Sequence, residues 1–431
     1  MARPLLIAEA ANPEWVSVPL VGWSLARAIQ LRTGAHIATQ IRNREAFLRA
    51  GLVEGTDFTA IDTEWVLRPV WKAIRVLRMG EGKGWTVVTA FSSLFYPVFE
   101  RTVWRELGNR IRSGEFSVVH RITPLTPTAN SLLAGRAARA GIPFVVGPLN
   151  GGVPWPKEFR SEQRQEREYL AYVRSIYKLS PSRASMLRHA SVLIAGSRHT
   201  GSEIPGRYAR KIAYIPENAI DPKRFNKCAA QDISGPLRGA FVGRLVPYKG
   251  CDMLLDAAAP LIRSGMLKLD IIGDGPMKES LQAQAKALHT EGGVTFHGWK
   301  NHGEVQDILS NCNLLTFPSV REFGGGVVLE AMALGVVPVI VDYAGPAELV
   351  DDGLGYKVPL GTRQEVTQAL SETLLGIVRN PSPLPGMAAA ARARVAMTYT
   401  WDAKADQILE IYDWLASGQP GLIPGFDPGN V

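Results

Sequence analysis

Residues 314–330 read Leu314-Leu315-Thr316-Phe317-Pro318-Ser319-Val320-Arg321-Glu322-Phe323-Gly324-Gly325-Gly326-Val327-Val328-Leu329-Glu330. A short apolar run, the right length for a buried strand, meets a turn at Pro318-Ser319, and three consecutive glycines then precede an apolar helical run that continues to Leu334. A strand that feeds a glycine turn and then a helix is one βα step of a parallel sheet covered on both faces. The step recurs outward in both directions. Strand patterns lie at 239–242, 267–272, 294–296 and 337–341, each followed by a turn and a helical stretch. Upstream they lie at 4–10, 86–90, 116–120, 143–146 and 192–195, the first feeding a helix that opens near Val21-Gly22-Trp23-Ser24.

Two such series fit the length, because 431 residues exceed one ordinary core. Between them, Tyr214-Ile215-Pro216-Glu217-Asn218-Ala219-Ile220-Asp221-Pro222 carries two prolines with Asn and Asp, the composition of a turn-rich crossing. The expected organisation is a Rossmann-like domain over 1–216, a second over 217–398, and a C-terminal helix with a Gly/Pro-rich tail over 399–431. Two doubly wound parallel sheets are expected to face each other across a cleft lined by the carboxyl ends of their strands. The tail, 419–431, reads as poorly ordered.

Composition narrows the function classes. Hydrophobic residues make up 46% and charged residues 20%, with 42 Gly and 29 Pro, a globular profile rather than a disordered or fibrous one. Cys228, Cys251 and Cys312 are far apart and form no CxxC or Cys/His cluster, which argues against a disulfide framework or a zinc site and fits a reducing cytoplasm. The run Leu5-Leu6-Ile7-Ala8 ends at Glu9, too short for a secretory core, and nowhere do about 18 apolar residues follow one another as a membrane span would need. Charge is split: residues 1–225 carry +14 and residues 226–431 carry −6. A basic first half suits an anionic partner, although a solvated basic surface without one gives the same count.

The chemistry concentrates in the second half. Glycines 324–326 let backbone N–H groups approach a ligand at a helix N-terminus, which favours negative charge such as a diphosphate. Glu322 in the loop and Glu330 about one turn inside the helix are carboxylates able to accept hydrogen bonds from vicinal hydroxyls. In Gly243-Arg244-Leu245-Val246-Pro247-Tyr248-Lys249-Gly250, two cations follow the second domain's first strand and suit a diphosphate clamp. At the end of another strand, Phe296-His297-Gly298-Trp299 offers bare backbone and an aromatic to seat a base, unless Trp299 belongs to the core.

Together these segments, with Ile272-Gly273-Asp274-Gly275-Pro276 and Gly345-Pro346-Ala347-Glu348-Leu349-Val350, resemble the family 4 glycosyltransferases, retaining enzymes of the GT-B fold. The resemblance spans essentially the whole second domain. It implies transfer of a hexosyl group from a nucleotide-diphosphate sugar, a UDP-sugar first and a GDP-sugar second, to an acceptor hydroxyl with retention. By the same resemblance Arg244 and Lys249 hold the diphosphate, Glu330 the ribose, and Glu322 with the backbone of Phe323, Gly324 and Gly325 the sugar. In the first domain it implies a phosphate contact at Gly22, where only one glycine of the usual pair is present, and places His120 near the transferred sugar. The crossing departs from the usual Pro-Asn-Gly-Val-Asp, and the resemblance implies C-terminal helices returning toward the first domain. No metal is expected, since Arg244, Lys249 and a helix N-terminus supply the positive charge.

Two other classes compete: a GT-B enzyme of another reaction, such as a phosphorylase or nucleotide-sugar epimerase, and a non-catalytic basic nucleic-acid-binding protein. The second is disfavoured because the polar constellation sits in the acidic half. Acceptors are expected to be glycans in bacterial polysaccharide or glycolipid synthesis, or lipid-linked. Residues 155–189 mix Trp155, Phe159, Tyr169, Tyr172 and Tyr177 with eight cations, and are expected either to dock on an anionic membrane at the inner face of the plasma membrane or to form a solvated helix pair.

Overall fold

The computed structural model describes residues 3–65, 85–165 and 180–426. Its strands are β1 (Arg3–Ala8), β2 (His36–Gln40), β3 (Phe58–Ile61), β4 (Phe116–Thr123), β5 (Phe144–Leu149), β6 (Val192–Ala195), β7 (Ile212–Tyr214), β8 (Leu237–Val242), β9 (Leu267–Ile272), β10 (Val294–Gly298), β11 (Leu314–Phe317), β12 (Val337–Val341) and β13 (Tyr356–Val358). They form two sheets, in the orders β3-β2-β1-β4-β5-β6-β7 and β10-β9-β8-β11-β12-β13. The recorded pairings are parallel throughout. Each sheet starts at an inner strand, runs to one edge, returns beside the starting strand and runs to the other edge, the doubly wound order of a Rossmann-like fold.

The chain separates into two units around these sheets. The first sheet's unit includes residues 404–426, and the second sheet's unit includes residues 152–165 as well as 218–403. This differs from a simple division at 216/217, because the crossover after β5 contributes to the second unit. Phe159 there is 1% exposed and Trp155 packs against the same core, so these two aromatics of the stretch expected to meet a membrane face inward. The Tyr169, Tyr172 and Tyr177 part of that expectation lies outside the described residues. No helix among the described residues is long and apolar enough to cross a membrane.

Two further expectations are corrected. Residues 86–90 belong to the helix Trp85–Arg112 and not to a strand. Tyr96, Phe99, Val103, Leu107 and Ile111, all buried, recur at three- and four-residue spacing, so the apolar run continues a helical face. The tail is docked as far as it is described: Ile423 is 3% exposed, and the N–H of Tyr214 on edge strand β7 donates to the Gly425 carbonyl at 2.7 Å. An unpaired edge N–H and an apolar side chain together outweigh the turn-forming composition.

Gly22 lies buried in the helix Val18–Thr33. A Cβ there would stand 2.2 Å from the Ala10 carbonyl oxygen and 2.9 Å from Thr123 Cγ2, so glycine lets this helix close on the ends of β1 and β4. Gly22→Ala is expected to lower stability by about 1–3 kcal/mol, the usual cost of overpacking. A chemical-denaturation midpoint equal to wild type would contradict that packing role.

Candidate active site

In the second unit, β11 delivers the chain into the loop 318–325 and then the helix Gly326–Leu334. The loop is fastened to the turn after β8: the Val320 N–H donates to the Tyr248 carbonyl at 3.0 Å, and the Ser319 hydroxyl reaches the same oxygen at 3.4 Å. On its other side the Gly345 N–H donates to the Glu322 carbonyl at 3.2 Å. A Cβ on Gly345 would stand only 1.7 Å from the Phe323 carbonyl oxygen, so the approach requires glycine. Gly325 (φ 56°) precedes the helix, whose first N–H groups and positive dipole end suit an anion.

These attachments bring Lys249 and Glu322 together as an ion pair, with side chains 14% and 24% exposed. The ammonium of Lys249 also lies 4.9 Å from the centre of the Phe317 ring. Arg244, six residues beyond Arg238 and after β8, is exposed. Phe323 and Gly324 are half-buried beside the pair. Gly298 (φ 67°) ends β10, and the adjoining Trp299 is 73% exposed, so this tryptophan is not core.

Glu330 lies one turn into the helix with its side chain 19% exposed. Burial raises its pKa from 4.5 to about 7, opposed by the charge of Arg224. His302 Nδ1 stands 3.9 Å from Glu330 Oε1, and burial followed by the Arg224 charge lowers its proton affinity. Neither His302 nor Arg224 was expected from the sequence pattern. The one legible signal is the capping box of Asn301 with Glu304, which fixes the start of the helix His302–Leu309 and so the place of His302.

The two first-domain candidates occupy the first unit. His120 is fully buried; its Nε2–H donates to the Gly147 carbonyl at 2.8 Å, and the Tyr412 hydroxyl donates to Nδ1 at 2.6 Å. Burial lowers its pKa to about 4, so it is neutral at pH 7 with both ring nitrogens already used. Gly22 has the packing role described above. Among the described residues no group of three or more His, Cys, Asp or Glu could hold a metal ion.

Residues 223–381 match the family model of the glycosyl transferases group 1. The matched span lies within the second unit and contains Arg244, Lys249, Gly298, Trp299, Glu322, the glycine loop and Glu330. Alpha-D-kanosaminyltransferase of Streptomyces kanamyceticus is 32% identical over 174 residues, 40% of this chain and 44% of its own. The amylovoran biosynthesis glycosyltransferase AmsK of Erwinia amylovora is 27% identical over 210 residues, 47% and 51% of the two chains. The chain thus spans about half the length of the curated relatives it matches. Among solved structures, HepE of Anabaena in complex with UDP has a TM-score of 0.61 at 17% identity, covering 96% of this chain and 100% of its own. Sucrose-phosphate synthase of Thermosynechococcus elongatus has a TM-score of 0.58 at 16% identity, covering 96% and 100%. At such identities the likeness is one of fold: two Rossmann-like domains of the GT-B class.

The raised pKa of Glu330 has a thermodynamic consequence. Between pH 4.5 and about 7 the folded chain holds a proton that the unfolded chain has released, so this group's stabilising contribution shrinks as pH rises and is lost above that window. Glu330→Gln, which removes the buried charge, is therefore expected to be the more stable protein at pH 8, by up to about 3 kcal/mol. The difference should grow from pH 4.5 to 7 and then level off. A variant equal to or less stable than wild type at pH 8, by denaturant midpoint, would contradict the buried carboxyl.

Proposed function

We propose that this chain is a retaining glycosyltransferase of family 4 that moves a hexosyl group from a nucleotide-diphosphate sugar to an acceptor hydroxyl. The carrying observation is the meeting of Lys249 and Glu322 beside a glycine-initiated helix that bears Glu330, within the span that matches glycosyl transferases group 1. Arg244 and Lys249 hold the diphosphate and, with the helix N-terminus, offset the charge that builds on the departing nucleotide. Glu322 and the backbone of Phe323, Gly324 and Gly325 hold the sugar. Glu330 accepts from the ribose hydroxyls in its ionised form, so nucleotide binding drives its proton off.

In the transfer, the acceptor oxygen bonds to the anomeric carbon on the face from which the nucleotide leaves. The bond from that carbon to the phosphate oxygen breaks, and the acceptor's proton passes to the departing diphosphate. No protein nucleophile is needed, so the two glutamates serve binding and electrostatics. The positive groups named above take the part a divalent ion plays elsewhere. Structures of HepE with UDP and with UDP-glucose support a UDP-sugar as first choice, with a GDP-sugar second. The relative in amylovoran biosynthesis supports a glycan or lipid-linked acceptor in bacterial polysaccharide synthesis. The enzyme would act in the cytoplasm or on the inner face of the plasma membrane.

The test is incubation with a panel of radiolabelled nucleotide sugars in the presence of a strong chelator. One nucleoside diphosphate should be released, and Glu322→Ala should slow its release at least about tenfold, equivalent to roughly 1.4 kcal/mol. Release that stops in chelator and returns with magnesium, or an unaltered rate in Glu322→Ala, would overturn the respective part of the proposal.

A further inference from the structure

The segment 152–165 that joins the second unit lies against both loops of the candidate donor site. The Val153 carbonyl accepts from Arg321 Nε at 3.3 Å, and the Tyr343 hydroxyl donates to the Pro154 carbonyl at 3.0 Å. The Trp155 ring has the Arg321 guanidinium 4.9 Å from its centre and meets Tyr248 edge-on with ring centres 5.7 Å apart. Arg321 immediately precedes Glu322, and Tyr248 immediately precedes Lys249. Trp155 thus touches the residue before each member of the ion pair, and Phe159, buried in the core, anchors the segment that carries it.

We propose that Trp155 is a positioning residue for the nucleotide-sugar site, holding Glu322 and Lys249 in register by clamping Arg321 and Tyr248. The inference rests on the reading of Glu322 and Lys249 as donor-binding groups. A partly exposed pair of long side chains gains little by itself, because ordering both chains costs rotamer entropy. Fixing the backbone from which each extends lowers that cost before the donor arrives, which is preorganisation. The Arg321 guanidinium lies over the indole while its Nε–H donates to the Val153 carbonyl, a combination that a lysine ammonium does not reproduce.

The test compares donor KM and kcat for Trp155→Ala, Trp155→Phe and Arg321→Lys, alone and with Glu322→Gln, in the full chain. Trp155→Ala and Arg321→Lys should each raise donor KM about tenfold, with a smaller change in kcat, and Trp155→Phe should recover most of the loss. In the Glu322→Gln background the KM penalty of Trp155→Ala should shrink to the part that acts through Tyr248 and Lys249 while its lowering of Tm persists in full, which a merely structural residue would not show. An unchanged donor KM in Trp155→Ala and Arg321→Lys, or the same penalty in both backgrounds, would overturn the inference while leaving the donor site intact. Unchanged kinetics in Glu322→Gln itself would overturn the donor-site reading, and the role of Trp155 with it. Should Trp155→Ala fail to fold, Arg321→Lys carries the same comparison.

Discussion

The carboxyl edge of the second sheet depends on backbone packed directly on backbone. The carbonyl of Phe323 lies where a Cβ on residue 345 would stand 1.7 Å away, and the carbonyl of Gly243 has the same relation to Gly273 at 1.9 Å. Loops this close leave no room for intervening side chains, so those they do carry are set by the backbone path and not by mutual adjustment. The Lys249–Glu322 pair follows from that path: one loop is tied to the turn after β8 through Val320 and Tyr248, and to the loop after β12 through Gly345 and Glu322. A parallel sheet gathers all these loops at one edge, which is why a fold of this class concentrates polar groups there.

Much of this was legible from the chain. Strands β9, β11 and β12 occupy the expected 267–272, 314–317 and 337–341, because buried parallel strands are continuous apolar runs bounded by turn residues. Strand β2 was not, since His36-Ile37-Ala38-Thr39-Gln40 looks polar yet is wholly buried. Its polar groups are satisfied across strands, His36 by Thr56 and Thr59, Thr39 by the Ala8 carbonyl and Gln40 by Thr63. Such partners are distant in sequence, and period-two or apolar-run signals do not record them. The short edge strands β3, β7 and β13 were missed because three or four residues carry too little pattern.

At the candidate site, the sequence pattern names the charged residues but not their electrical state. Glu322 and Lys249 are 73 positions apart, and only the fold makes them a pair. The environment of Glu330 arises likewise from three separate segments, bearing Arg224, His302 and the helix itself. His120 shows the converse: the expected strand 116–120 ends on it, whereas β4 continues to Thr123, and its nitrogens meet Tyr412 and Gly147, partners that the sequence pattern does not reveal.

A carboxyl lifted toward neutrality by burial opposes folding above pH 7, and retaining it makes sense where a ligand supplies the hydroxyls that stabilise its charge. Whether nucleotide binding ionises Glu330 is therefore the decisive question. Isothermal titration of UDP at pH 6.5, in two buffers of different ionisation enthalpy, measures this directly. One site is expected, with net proton release that falls in Glu330→Gln to the part released by the terminal phosphate of UDP on meeting Arg244 and Lys249; binding without proton release, or release undiminished in the variant, would contradict the ionisation of Glu330.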